Sequence, residues 1–124
     1  MEDWQVFCTQ WQQRLKLQDW DVNVKIVSLR EMGESLSGSV TYNIGKKIAD
    51  IKLIKPEDYP CDSMRPQDME ETLVHELLHL HFAPLGIEND TPEQLAEEQA
   101  INALAKALIQ FKRSTTPMEN FPEG

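Results

Sequence analysis

The sequence predicts an α+β fold, and three patterns carry that expectation. Apolar residues recur at helical spacing near the start, the period changes to two across residues 20–54, and helical spacing returns in two long segments beyond residue 66. With 124 residues, 40% of them hydrophobic, the chain has material for one small domain with a modest core and little for a second.

Trp4, Phe7, Cys8, Trp11 and Leu15 line one face of an amphipathic helix expected over residues 3–17. Their aromatic stripe reads as core, because small domains use large aromatics to gain buried area. From Trp20, the residues Val22, Val24 and Ile26 alternate with Asp21, Asn23 and Lys25, as in a half-buried strand. A second strand is expected over residues 35–43, with Leu36, Gly38, Val40 and Tyr42 on one side and Ser37, Ser39 and Thr41 on the other. The third covers residues 47–54, where Ala49, Ile51 and Leu53 oppose Ile48, Asp50, Lys52 and Ile54. Met32-Gly33-Glu34 and Asn43-Ile44-Gly45-Lys46 read as turns. Connections this short imply an antiparallel meander of three strands, or a larger, mostly antiparallel sheet.

Residues 56–66 form a loop rich in proline and acid, and Pro66 suits the first turn of a helix running to His81 or Phe82, before Pro84 and Gly86. The last helix opens with Thr91 as N-cap, Pro92 at the first helical position and Gln94 completing a capping box. It continues through Leu95, Ile101, Leu104, Leu108 and Phe111 to about Lys112. Residues 1–112 thus make the domain. Residues 113–124 carry two prolines and no apolar period, and read as a flexible or loosely docked tail.

The chemistry sits in His75-Glu76-Leu77-Leu78-His79. Helical spacing puts the two imidazoles on one face, about 40° apart, with Glu76 beside them. Zinc takes two neutral imidazoles and one oxygen ligand and keeps its fourth position open, while a carboxylate that does not ligate accepts the proton of water. Leu73, Val74, Leu77, Leu78 and Leu80 leave too few polar positions for an ordinary surface helix. Ionisable groups in so apolar a segment call for a partner, and zinc is the simplest. His75 and His79 are therefore expected to be metal ligands and Glu76 the general base.

A third protein ligand is needed for a stable site. His81 lies two residues past His79 and points to the opposite side of the helix. The last helix offers Glu93 in its first turn, Glu97, nearly within its apolar stripe of Ile101, Leu104 and Leu108, and Glu98 on the flank. Glu98 is favoured because Asn102, four residues on, shares its face and can accept a histidine ring proton, fixing the ring that presents its other nitrogen to the metal. Glu97 is the alternative.

These residues carry a resemblance. His75-Glu76-Leu77-Leu78-His79 followed by Glu98-Gln99-Ala100-Ile101-Asn102 resembles the gluzincin branch of zinc metallopeptidases, related to thermolysin, and the chain is similar to small metallopeptidases encoded by phages and prophages and to single-domain gluzincins. The resemblance spans roughly residues 20–109 and implies a zincin-like minimal domain, with Glu98 as third ligand and Asn102 supporting a histidine. Many relatives have Asp where Asn102 stands, and the second domain of the larger relatives is missing. A strand should then border the cleft and pair with an extended peptide; Ala49–Ile54, the last strand before the motif, is the expected edge, with Lys52 and Lys55 positioned to favour acidic peptides. Tyr42 and Tyr59 are the candidate helpers of zinc in steadying the oxyanion.

The function expected is zinc-dependent peptide-bond hydrolysis of a peptide or protein substrate. The alternative is a latent or inactive zinc protein whose cleft is occupied by a partner or by its own tail, where Glu119 and Glu123 offer carboxylates and Cys61 elsewhere offers a thiolate. A plain interaction module without metal is the third class. A formal charge of −9 argues against nucleic acid and anionic membrane as partners. Cys8 and Cys61 lie in unrelated settings without CxxC spacing, and no stretch has the length of a signal core or membrane span. A cytoplasmic protein is expected, in the host cytoplasm if phage-encoded.

Overall fold

The computed structural model describes residues 3–32, 38–55, 58 and 68–118. The first helix, α1 (Trp4–Leu15), begins where the Asp3 side chain accepts from the backbone N–H groups of Gln5 and Val6, and ends at Lys16 in the left-handed conformation. It is shorter than residues 3–17 at both ends. Its stripe is core as expected: Cys8 and Trp11 are buried, and Trp4, Phe7 and Leu15 pack against the same cluster. Gln12 is also buried, and its amide donates to the carbonyls of Leu17 and Trp20 at 3.1 and 2.8 Å, tying the helix to the turn that follows.

Three strands follow: β1 (Asp21–Val27), β2 (Gly38–Asn43) and β3 (Ile48–Ile54). Only the β2–β3 half of the expected meander forms. Those two strands are a hairpin around residues 44–47, where Asn43 Oδ1 accepts from the Lys46 N–H at 3.0 Å. β1 instead pairs with β3 in parallel, Asp21 opposite Ile48 through Val27 opposite Ile54, giving the order β1-β3-β2 and a mixed sheet. The link after β1 is not a tight turn. Ser28 and Glu31 form a capping box, with the Glu31 N–H donating to Ser28 Oγ and the Ser28 N–H to Glu31 Oε1, both at 3.3 Å. That box starts a single-turn helix, α2 (Leu29–Met32), which carries the chain away from β1 instead of folding it back. The expected turn at Met32-Gly33-Glu34 lies outside the described residues beyond Met32, as do residues 35–37 of the second predicted strand.

The strand order also relocates the edges. β3, the expected edge, is central, with a partner on each side. β1 is one edge, and α1 covers it: Gln5 Nε2 donates to the Val22 carbonyl at 2.9 Å and Gln5 Oε1 accepts from the Val24 N–H at 3.0 Å. This side-chain amide occupies the ladder groups a further strand would use. β2 is the other edge. One face of the sheet is core, with Val22, Ala49, Ile51 and Leu53 buried, while Asn23, Lys25, Asp50 and Lys52 are exposed on the other.

On the core face lies α3 (Met69–Phe82), whose N-cap Asp68 accepts from the Glu71 N–H at 3.1 Å. Pro66, expected in its first turn, lies outside the described residues. A short 3-10 turn, Ala83–Leu85, and Gly86 in the left-handed conformation end it. The last helix, α4 (Pro92–Met118), packs against α3 and contributes Ile101, Ala105 and Ile109 to the core. Its capping box is offset: the Gln94 N–H donates to Thr91 Oγ1 at 3.1 Å, but Gln94 Oε1 accepts from the N–H of Asp90, not of Thr91, at 2.8 Å. α4 runs six residues past the expected end at Lys112. Arg113 holds that extension, donating from both terminal nitrogens to the Asp68 carboxylate at 2.8 and 3.1 Å. No described helix is long and apolar enough to cross a membrane.

Candidate metal centre

α3 is anchored by Leu73, Val74, Leu77, Leu78 and Leu80, all buried. This leaves His75 and His79 at its rim, each with a side chain 20% exposed and ring centroids 5.1 Å apart. Side chains one helical turn apart stack along one face, so both rings turn toward α4. There Glu98 inserts its carboxylate between them, Oε1 lying 3.2 Å from His75 Nε2 and Oε2 3.1 Å from His79 Nε2. One donor atom from each of the three residues falls within 4.8 Å of the others, and this is the one such His, Cys, Asp and Glu group among the described residues.

Glu97, the alternative third ligand, occupies a different position. Its Oε2 lies 3.1 Å from His79 Nδ1, on the side of the ring away from Glu98. Two consecutive carboxylates therefore address the two nitrogens of one imidazole. Asn102, one turn past Glu98, faces the His75 side chain and favours its charged form. Each histidine thus has its own orienting partner from α4, an arrangement that fixes ring and tautomer in metal sites. His81 projects the other way, its Nε2 lying 2.7 Å from the Leu15 carbonyl at the end of α1.

Burial pushes His75 below the ordinary imidazole value and the neighbouring His79 works in the same direction, against the Glu98 charge and the Asn102 side chain. The neutral ring is the form that ligates. Glu76 is only 7% exposed, and burial with the nearby Glu98 charge pushes its carboxyl up to about 8. A divalent cation held by its neighbours would favour the carboxylate form again.

What confines Glu76 was not foreseen in the sequence. β2 opens with Gly38, and a Cβ there would lie 3.3 Å from Glu76 Oε2 and 2.6 Å from Thr72 Cγ2. The strand thus passes directly against the turn of α3 that carries the carboxylate. A glycine inside a strand signals close approach of something, but the sequence does not say of what. Tyr42 stands four residues along β2 from Gly38, packed edge-on against Trp20 with ring centroids 6.4 Å apart, at the far end of the strand from Glu76. Tyr59 and Cys61 lie outside the described residues.

The donor set suits zinc. Two imidazole nitrogens and one carboxylate are its catalytic complement, whereas calcium and magnesium prefer oxygen alone.

No family model matches this chain, and no characterised protein or solved structure is detectably similar to it. The site rests on its own geometry.

Proposed function

We propose that this chain is a zinc-dependent peptide-bond hydrolase of the gluzincin kind, with His75, His79 and Glu98 as ligands and Glu76 as general base. The observation that carries the reading is the Glu98 carboxylate set between the Nε2 atoms of His75 and His79, at 3.2 and 3.1 Å, with a buried glutamate on the same turn of α3. When bound, zinc supplies Lewis acidity toward a carbonyl oxygen and toward water.

The chain's residues do the rest. Glu97 and Asn102 hold the two imidazoles in orientation, and Glu76 accepts the proton of the attacking water and passes it to the leaving amine. An extended peptide adds by main-chain hydrogen bonds to β2, whose outer edge no described strand occupies and whose first residue lies beside Glu76. β1 is unsuited to that role because Gln5 already binds its backbone.

The test is metal content and turnover in Glu76→Gln. The variant should hold one zinc per chain like the wild type and lose roughly a hundredfold to ten-thousandfold in peptide cleavage; undiminished, zinc-dependent cleavage would sink the mechanism. A second reading, a zinc protein whose cleft is filled by its own tail or by a partner, rests on the same ligand cluster. It predicts a stoichiometric metal in wild type with no cleavage of a broad peptide library.

A further inference from the structure

The sheet face turned away from the helices carries charges ordered along the strands. Register sets Lys25 and Ser39 on either side of Lys52 in one row, and Asn23 and Thr41 on either side of Asp50 in the next. Ser39 is half-buried and the other five are exposed. Like charges directly opposite on paired strands repel, yet neither Lys25 nor Lys52 has an ion-pair partner among the described residues, and Asp50 has none either. In a chain of net charge −9, carboxylates are plentiful, and this pair of lysines is left without one among the described residues. An anionic group from outside the chain fits that row.

The row lies next to the candidate site. Ser39 follows Gly38, where an added Cβ would lie 3.3 Å from Glu76 Oε2, and alternation along the strand turns the Ser39 side chain to the charged face. A peptide added at the edge of β2 would run about 4.8 Å from β2 and about 10 Å from β3. Its side chain beside Ser39 meets a short hydroxyl with the Lys52 ammonium behind it, and the flexible four-carbon stem of lysine narrows the gap. Two residues along, beside Thr41, the next side chain on that face meets Asp50.

We infer that the Lys52 and Asp50 rows read the substrate in register, selecting an acidic side chain beside Ser39 and a basic one two residues away beside Thr41. The inference rests on the hydrolase reading for the presence of a peptide on β2. It differs from any effect of overall charge, since a net charge of −9 repels acidic peptides wherever the acid stands. One exposed charge pair about 10 Å apart changes binding by about twofold relative to no charge, and exchanging attraction for repulsion counts that factor twice at each position. Exchanging attraction for repulsion at both positions therefore amounts to about tenfold at low ionic strength, shrinking as salt shortens the screening length.

The test uses two fluorescent decapeptides of identical composition, Val and Thr throughout except for one Asp and one Lys two positions apart, in the two orders. Binding to the full chain supplied with zinc is read by anisotropy, and cleavage of the same peptides by mass spectrometry. One order should bind about tenfold tighter at low salt, the ratio should approach one at high salt, and the charge-swapped variant Lys52→Asp/Asp50→Lys should invert it. Salt dependence in the wild type keeps the test decisive if the variant fails to fold. Equal binding of the two orders, or binding of neither, overturns the register reading. Order-dependent binding without cleavage supports it and sinks the hydrolase reading; cleavage indifferent to order does the reverse.

Discussion

Glu97 approaches His79 from the side opposite Glu98, its carboxylate 3.1 Å from Nδ1 while Glu98 lies 3.1 Å from Nε2. Adjacent acids on one helix therefore have unequal tasks. A carboxylate on the distal ring nitrogen orients the ring without touching the metal. Glu97→Ala should weaken zinc affinity about 10- to 100-fold and leave a stoichiometric site at saturating metal, whereas Glu98→Ala should fail to hold zinc through purification. Competition with a chromophoric chelator measures both. Equal losses in the two variants would make Glu97 a ligand in its own right.

The contact of Gly38 with α3 gives a second expectation. An alanine methyl at 38 would sit 2.6 Å from Thr72 Cγ2 and 3.3 Å from both Glu76 Oε2 and the Lys52 carbonyl, so β2 or the helix must shift. Overpacking of this kind costs about 1–3 kcal/mol, and here the displaced element carries the base. Thr72→Ser removes the clashing methyl and keeps the hydroxyl that donates to the Asp68 carbonyl at 3.1 Å. Gly38→Ala should therefore lose stability in urea unfolding, and Gly38→Ala/Thr72→Ser should recover most of it. Additive effects of the two substitutions would show that the contact is not the cause.

Local patterns in the sequence anticipated local structure well. The stripe of α1, the alternation in the strands and the helices bearing His75 and Glu98 all follow from side chains a few residues apart. The Glu98 and Asn102 pair was readable for the same reason, since both lie one turn apart on α4. Strand order was not readable. The parallel pairing of residue 21 with residue 48 depends on the Ser28 and Glu31 box that starts α2, and treating that segment as a tight turn put β3 at the edge. With the edge misplaced, neither the contact of Gly38 with Glu76 nor the outward row of Lys25 and Lys52 was visible. The end of α4 was underestimated because Ser114, Thr115, Thr116 and Pro117 are poor helix formers. What holds that end is a distant partner, Asp68, at the start of α3.

That distant pairing predicts how the protein responds to acid. Arg113 grips Asp68 with two hydrogen bonds and reaches Glu70 Oε1 at 3.3 Å; Glu70 also accepts from Trp11 Nε1 at 2.8 Å and pairs with Lys112. The Arg113 hydrogen bond holds the Asp68 carboxyl below its usual value. For Glu70, burial pushes upward, but the Lys112, Trp11 and Arg113 contacts outweigh it and the carboxyl is again lowered. A carboxyl depressed in the folded state contributes stability that is present above its unfolded value and lost as pH falls through the folded one. Stability should therefore decline as pH drops below about 4. Arg113→Ala should cost about 1 kcal/mol at neutral pH, the upper end for an exposed pair because the contact is bidentate. The cost should vanish once both carboxyls are protonated, because the arginine then faces neutral partners. Urea unfolding of wild type and Arg113→Ala across pH 2–7 measures this, and a difference that stays constant to the acid end would mean that Arg113 acts by packing rather than by charge.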